Sequence, residues 1–242
     1  MSILAYVVMK MKMDDLAERL LTDLRPYIQK LSLKGFSGMC VIDLPEAKFN
    51  ARVVNGRVEL NRRYFLEKAK LALQGDSVAY SDLLNTFHHE LCHIDIDNRM
   101  PFLSRPLSDE EVFPRGIAFR FTREYLACSG SVKTMSAASL KEQISNGAQE
   151  IKALSEKRDI KNYSDVVCDL SYLVGNCSHA PCGYFVSMCN AIDDEILVAL
   201  ARHFLDTMTD FENHLPFVTE EDISPLCDAI MVGWRHFNKW GG

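Results

Sequence analysis

The sequence predicts an α+β protein: a small catalytic lobe with a mixed sheet over residues 1–132, followed by a mostly α-helical lobe over 133–242. Three observations lead there. "NARVVNGRVELN" places Asn55-Gly56 between two β-rich runs, the strongest short-range signal for a hairpin. Before and after it, apolar residues recur at helical spacing, as in Leu16, Leu20, Leu24 and Ile28. From about Lys133 onward the chain reads as nearly all helix. That composition shift is the only boundary in evidence, and it separates either two domains or two lobes of one integrated unit.

Taken in order, the start "MSILAYVVMKMKM" is apolar from Ile3 to Met9. No lysine or arginine precedes the run, it is short, and no small-residue cleavage site follows. The reading is a buried strand rather than a secretory signal. The Leu16–Ile28 helix comes next, with Pro26 near its end, and then the hairpin. A helix is expected from about Tyr64 to Gln74, stopped by Gly75. Ser81 is read as the N-cap of a helix carrying Leu84, Phe87 and Leu91 on one stripe and ending near Asp97. The following "NRMPFLSRPLSDEEVFPRG" contains three prolines and is read as a long functional loop. A helix from about Ile117 contains "FTREYLACSGSV". Ser139 and Glu142 form a Ser-x-x-Glu capping box ahead of Ile144, Ala148, Ile151 and Leu154. Three further helices are expected at Ser164 to Val174, Asp193 to Met208 and Thr219 to Trp240.

Composition narrows the classes of function. A hydrophobic fraction of 48% and a charged fraction of 25% suit a globular protein of ordinary make-up. The net charge of −6, with no long run of like charges, argues against a broad nucleic-acid surface. No apolar segment approaches the length of a bilayer span. The eight cysteines are read as reduced thiols of a cytoplasmic protein.

The chemistry concentrates in "TFHHELCHID". His89, Glu90 and His93 spell H-E-x-x-H, and on a helix positions i and i+4 lie on one face, a turn apart. Two imidazoles so placed can share one ion. Glu90, next to the first histidine, can reach a water on that ion without being a ligand. Zinc lowers the pKa of such a water and polarises a peptide carbonyl, while the glutamate takes the proton. A rival register exists in His88 and Cys92, also i and i+4, but it lacks a neighbouring base; Cys92 reads equally well as a buried small hydrophobe.

A catalytic zinc needs a third protein ligand and an open position. The best candidate is Glu124 in "TREYLAC", because it lies on an expected helix and the small Ala127 lets that helix approach closely. Asp97, Asp109, Glu110 and Glu111 compete. Asp97 lies close in sequence to the same helix, the other three read as solvated or as parts of a flap, and Glu124 itself can instead pair with Arg120 or Arg123. Asp95 is a candidate to orient a ligand histidine through its second ring nitrogen. Tyr125, Tyr172, His179 or an arginine can serve as the donor that stabilises a developing oxyanion.

H-E-x-x-H followed some thirty residues later by E-x-x-A resembles the gluzincin zinc peptidases. The compact spacing is similar to that of the small cytosolic ImmA/IrrE-like proteins. The resemblance covers about Arg52 to Ser131. It implies a zincin-like catalytic lobe, His89, His93 and Glu124 as ligands of Zn2+, and Glu90 as general base. "ELCH" and "EYLACSG" depart from the small-residue and acidic pattern usual after those motifs. The function expected is therefore hydrolysis of a peptide bond in an intracellular protein or peptide. The substrate is expected between the "RVELN" strand, as a sheet edge, and the histidine helix. The helical lobe would serve substrate choice or a regulatory protein partner. The alternative is a non-enzymatic regulatory protein that retains the metal site. Cys168, Cys177, His179, Cys182 and Cys189 fall close together, but without paired C-x-x-C knuckles they read as buried thiols. Trp234 and Trp240 read as core or interface anchors.

Overall fold

The computed structural model of the chain describes residues 3–43, 50–156, 159–181, 183–215 and 218–239, with side chains described from residue 15 onward and not at 239. The described residues are mostly helical with a small three-stranded mixed sheet, as an α+β chain should be. They fall into two compact units, Met1–Asp95 with Lys133–Ser139, and Ile96–Val132 with Leu140–Gly242.

The first unit opens with helix α1, Ile3–Ile28. The N-terminal apolar run is thus helical, where the sequence suggested a strand. Met, Leu, Lys and Ala favour helix, and no glycine or proline separates Ile3 from the leucine-spaced stretch, so one helix runs through both. Its only proline, Pro26, lies two residues before the end. Leu16, Leu20 and Leu24 are buried at the expected spacing, with Ile28 packed partly against the same core.

Strands β1 (Gly38–Ile42), β2 (Ala51–Val54) and β3 (Arg57–Asn61) follow. Asn55 at φ 51° and Gly56 at φ 72° make the two-residue turn between β2 and β3, where both central residues must adopt positive φ. A Cβ on Gly56 would also lie 2.1 Å from the Gly35 carbonyl oxygen, so the position excludes side chains twice over. The sheet order is β1-β3-β2, with β1 parallel and β2 antiparallel to β3. This corrects one expectation: "RVELN" is the central strand, paired on both sides, and not an edge open to a peptide. The strand that covers it, "GMCVI", is short, begins at Gly38 and lacks an alternating pattern, so the sequence did not announce it.

Val58 and Leu60 of β3 point into the core with Leu16, Leu20 and Leu24. On the other face of the sheet, Arg52 and Glu59 stand directly opposite and pair at 2.8 Å. Helix α2, Arg62–Leu73, is capped by Asn61, whose side chain accepts from the Arg63 N–H. Gly75 lies just beyond its end at φ 94°.

Helix α3, Ser77–Arg99, presents Leu83, Phe87, Leu91 and Ile94 to the same core. Its N-cap is Asp76, which accepts from the N–H groups of Val78 and Ala79. Ser81, expected at that position, lies one turn inside. There its hydroxyl donates to the Thr134 carbonyl and accepts the Ser136 N–H. Those contacts hold the 133–139 segment, and the Asp82 carboxylate adds to them by accepting from the Ser139 hydroxyl and pairing with Lys68. Helix α5, Ala137–Ser155, therefore starts earlier than the expected capping box; Ser136 accepts from the Ser139 N–H, and Ser139 is spent on Asp82.

In the second unit the proline-rich segment is anchored. Arg105 binds Glu111 and Glu220 through its guanidinium, at 2.6 and 2.7 Å for the shortest contacts, and Arg115 joins both carboxylates. Helices α4 (Ile117–Ser131), α6 (Ile160–Ser178), α7 (Gly183–Ile192), α8 (Glu195–Asn213) and α9 (Ser224–Lys239) complete it, α7 being unexpected from sequence. Asp194 caps α8. Trp234 packs against Phe113, Tyr163 and Phe237, as an anchor of the interior should; Trp240 lies outside the described residues.

Helix α6 packs closely against α4. A Cβ on Gly175 would lie 2.6 Å from the Tyr125 carbonyl oxygen and 2.8 Å from the Cys128 Cβ. In an exposed helix, Gly→Ala stabilises by about 1 kcal/mol. At Gly175 the overlap with backbone must win, because neither helix can yield without separating. Gly175→Ala should lower the unfolding free energy by about 1–3 kcal/mol, the usual cost of overpacking. Urea unfolding of the variant beside the parent measures it, and a stabilised variant would show that the helices are not held this closely.

Candidate metal centre

Helix α3 is buried on nearly every face from Ser81 to Ile96, and so its polar side chains need partners. His88 is 3% exposed, with its Nδ1 3.4 Å from the Thr134 hydroxyl and its ring 5.3 Å from that of Tyr27. Burial, followed by the charges of His89 and Lys133, pushes its imidazole down to about 4. Cys92 is also buried. The rival pair is thus packed into the interior of the first unit, and among the described residues it belongs to no cluster suited to a metal. Asp95 is buried and accepts the Ser32 N–H, tying the segment after α1 to the helix.

His89 and His93 share the remaining face. Their Nε2 atoms lie 3.0 Å apart, with the rings nearly perpendicular at 87°. Two nitrogens bound to one tetrahedral zinc at ~2.0–2.1 Å would stand ~3.3 Å apart, so the pair is close to the spacing an ion would impose. Glu124 completes the group. One potential ligand atom from each of His89, His93 and Glu124 lies within 4.8 Å of the others, His93 being buried and the other two half-buried. Two imidazoles and a carboxylate form a donor set suited to zinc. Glu90, directly after the first of these histidines, is buried at 6% exposure.

The competing acids are engaged or solvated. Asp97 accepts from the Ser104 hydroxyl and pairs with Arg123. Glu111 belongs to the Arg105 network, and the neighbouring Arg105 guanidinium holds its carboxyl down at about 2. Asp109 and Glu110 are exposed.

Tyr172 on α6 lies near Glu124, and burial, followed by that carboxylate's charge, pushes its phenol up from the ordinary range. Tyr125 is fully buried with no hydrogen-bond partner for its phenol among the described residues, and burial and the charge of Glu212 push that phenol up from the ordinary range; His179 lies 3.6 Å from the same Glu212. Ser129 donates to Glu212 as well, so that carboxylate gathers α4, α6 and α8. Cys168 and Cys177 are buried in α6 and Cys189 in α7, with burial pushing the first two thiols up to about 12. These cysteines form no metal-ligand group among the described residues, and Cys182 lies outside them. No helix among the described residues is long and apolar enough to cross a membrane.

His88 gives a pH signature. In the folded protein it stays neutral down to about pH 4, whereas the unfolded chain takes up this proton near the ordinary value of about 6.5. Its contribution is constant above that value and is lost as pH falls, because the unfolded state then binds more protons. Metal-free protein should lose about 2–3 kcal/mol between pH 7 and 4.5 through this group. Urea unfolding in the presence of a chelator should therefore show a flatter pH dependence for His88→Gln. Parallel curves would assign the loss to other groups.

No family model, curated protein or solved structure matches the chain.

Proposed function

We propose that the protein is a zinc-dependent peptidase of the gluzincin type, resembling the small ImmA/IrrE-like enzymes, with a zincin-like first lobe. The observation that carries this reading is the convergence of His89, His93 and Glu124 on one small volume, with Glu90 beside the first histidine. A structural zinc site closes with four protein ligands, whereas a catalytic one keeps three and an open position. Three ligands and an adjacent buried carboxylate suit the second case.

Bound there, zinc supplies Lewis-acid polarisation of a scissile carbonyl and acidifies a neighbouring water. The protein's own residues do the rest. Glu90 accepts the proton from water and returns it to the departing amine. His89 and His93, fixed one turn apart on a buried helix, present their nitrogens without further ordering. Glu124 contributes negative charge that offsets that of the cation. The substrate is an intracellular protein or peptide, the setting is cytoplasmic, and the helical lobe offers surface for a regulatory protein. With β3 paired on both sides, a peptide adding to the sheet would have to use β1 or β2.

Two sets of variants test the reading. Purified wild-type protein should carry one zinc per chain and cleave members of an unstructured peptide library, detected by mass spectrometry. Glu90→Gln should keep the zinc and lose cleavage by at least 100-fold, in line with loss of a general base. His89→Ala and Glu124→Ala should lose the zinc itself. A wild-type chain without zinc would sink the proposal. Zinc without cleavage in the wild type would favour a non-enzymatic metal-binding regulator instead.

A further inference from the structure

We infer that Asp97 and Arg123 are a positioning pair for the metal centre: their ion pair ties α4 to the last turn of α3 and so keeps Glu124 within reach of His89 and His93. The inference rests on the zinc reading above, but not on catalysis.

The pair lies within the second unit, which takes in Ile96–Val132. One Arg123 nitrogen, Nη2, stands 3.1 Å from one Asp97 oxygen and 3.2 Å from the other. The Ser104 hydroxyl donates to the same carboxylate at 2.6 Å, which orients it further. The Arg123 Nε is buried and makes no hydrogen bond among the described residues, so the contact through Nη2 is the one that orients the guanidinium. With the two side chains 31% and 34% exposed, solvent screens the pair only in part.

Its place along the chain connects it to the ligands. Helix α3 is continuous from Ser77 to Arg99, and His89, His93 and Asp97 follow at intervals of four residues along one face. Arg123 directly precedes Glu124 on α4. The bond from Asp97 to Arg123 therefore fixes α4 one turn beyond His93, and a ligand atom of Glu124 lies within 4.8 Å of those of both histidines. His89 and His93 keep their spacing because one helix carries both. Glu124 comes from another helix, and its distance from the histidines depends on what ties the two helices together. Setting that distance before the ion arrives removes conformational freedom that binding would otherwise have to remove.

Two charges beside a cation site also act on the ion directly, and the signs separate that effect from positioning. Acting only through space, Asp97 would favour zinc and Arg123 would oppose it. Arg123→Gln would then tighten binding. Acting as a pair, each side chain needs the other, and the loss of either one loosens Glu124. Arg123→Gln then weakens binding even though it removes a positive charge.

The test uses the full-length protein. Zinc affinity is measured by competition with a chelating dye, coordination by the visible spectrum of the cobalt-substituted protein, and folding by urea unfolding of the metal-free chain. Asp97→Asn and Arg123→Gln should each bind zinc about 3–5-fold more weakly, the upper range for a partly screened ion pair, and both should shift the cobalt bands. The double variant should lose no more than either single one, because each change already breaks the same bond. Tyr163→Phe is the control, since its hydroxyl donates to the Ile230 carbonyl at 2.7 Å, away from the ligands in sequence. It should lower the stability of the metal-free protein and leave zinc affinity and cobalt bands at wild-type values. Tighter zinc binding in Arg123→Gln would overturn the inference, by showing that the charge acts on the ion directly. Losses that add in the double variant, or wild-type affinity in both single variants, would overturn it too. An equal loss in Tyr163→Phe would do the same, by assigning the effect to general loosening. A wild-type chain that takes up neither metal is a separate result: it fells the zinc reading itself, and this inference with it.

Discussion

The first unit depends on a helix that carries buried polar side chains where apolar ones would be expected. Between Ser81 and Ile96, α3 is covered on nearly all sides, yet it carries Asp82, Asn85, His88, Glu90, His93 and Asp95 in buried positions. A polar group withdrawn from water without a partner costs ~1–3 kcal/mol or more, so each of these must be answered by something nearby. The answers build the first unit. Asp82 recruits Lys68 and Ser139, His88 recruits Thr134, and Asp95 takes a backbone N–H from the segment after α1. The segment 133–139 returns to α3 largely through such contacts. Polar residues here do structural work usually left to leucine.

The same helix carries His89 and His93 one turn apart. Their Nε2 atoms lie 3.0 Å from one another, and a ligand atom of Glu124 falls in the same group. Two neutral imidazoles can share at most one proton in a bond between them, while a cation would be stabilised by both lone pairs at once. A buried helix with this much polarity is suited to presenting ligands to a cation, the role proposed above for His89 and His93.

What could be read from sequence followed from how local the cause was. The Asn55-Gly56 turn, the Leu16-Leu20-Leu24 stripe and the His89/His93 pair depend on residues within a few positions of one another, and each is where it was expected. Glu124 was found because helical spacing and a small Ala127 limited the choices. The failures are non-local. Ser81 and Ser139 have the chemistry of N-caps, yet each serves a partner more than fifty residues away, and Asp76 and Ser136 cap in their place. The strand β1 is defined by its pairing with β3, and nothing within "GMCVI" marks a parallel neighbour. Tyr172 was legible only as one donor among several. Its place near Glu124 follows from the packing of α6 on α4, which a glycine three residues further on permits.

The order β1-β3-β2 has a consequence for how the first unit comes to be. The turn between β2 and β3 needs two residues and no distant partner, so that ribbon can close in microseconds. β1 can pair only once β3 has been brought back beside it, after the chain has passed through β2. Parallel pairing across such an excursion carries a loop-closure cost that the hairpin does not. The hairpin is therefore the natural seed of this sheet, and β1 its last member. The rate at which the unit assembles should be governed by the arrival of five residues that the sequence hardly advertises.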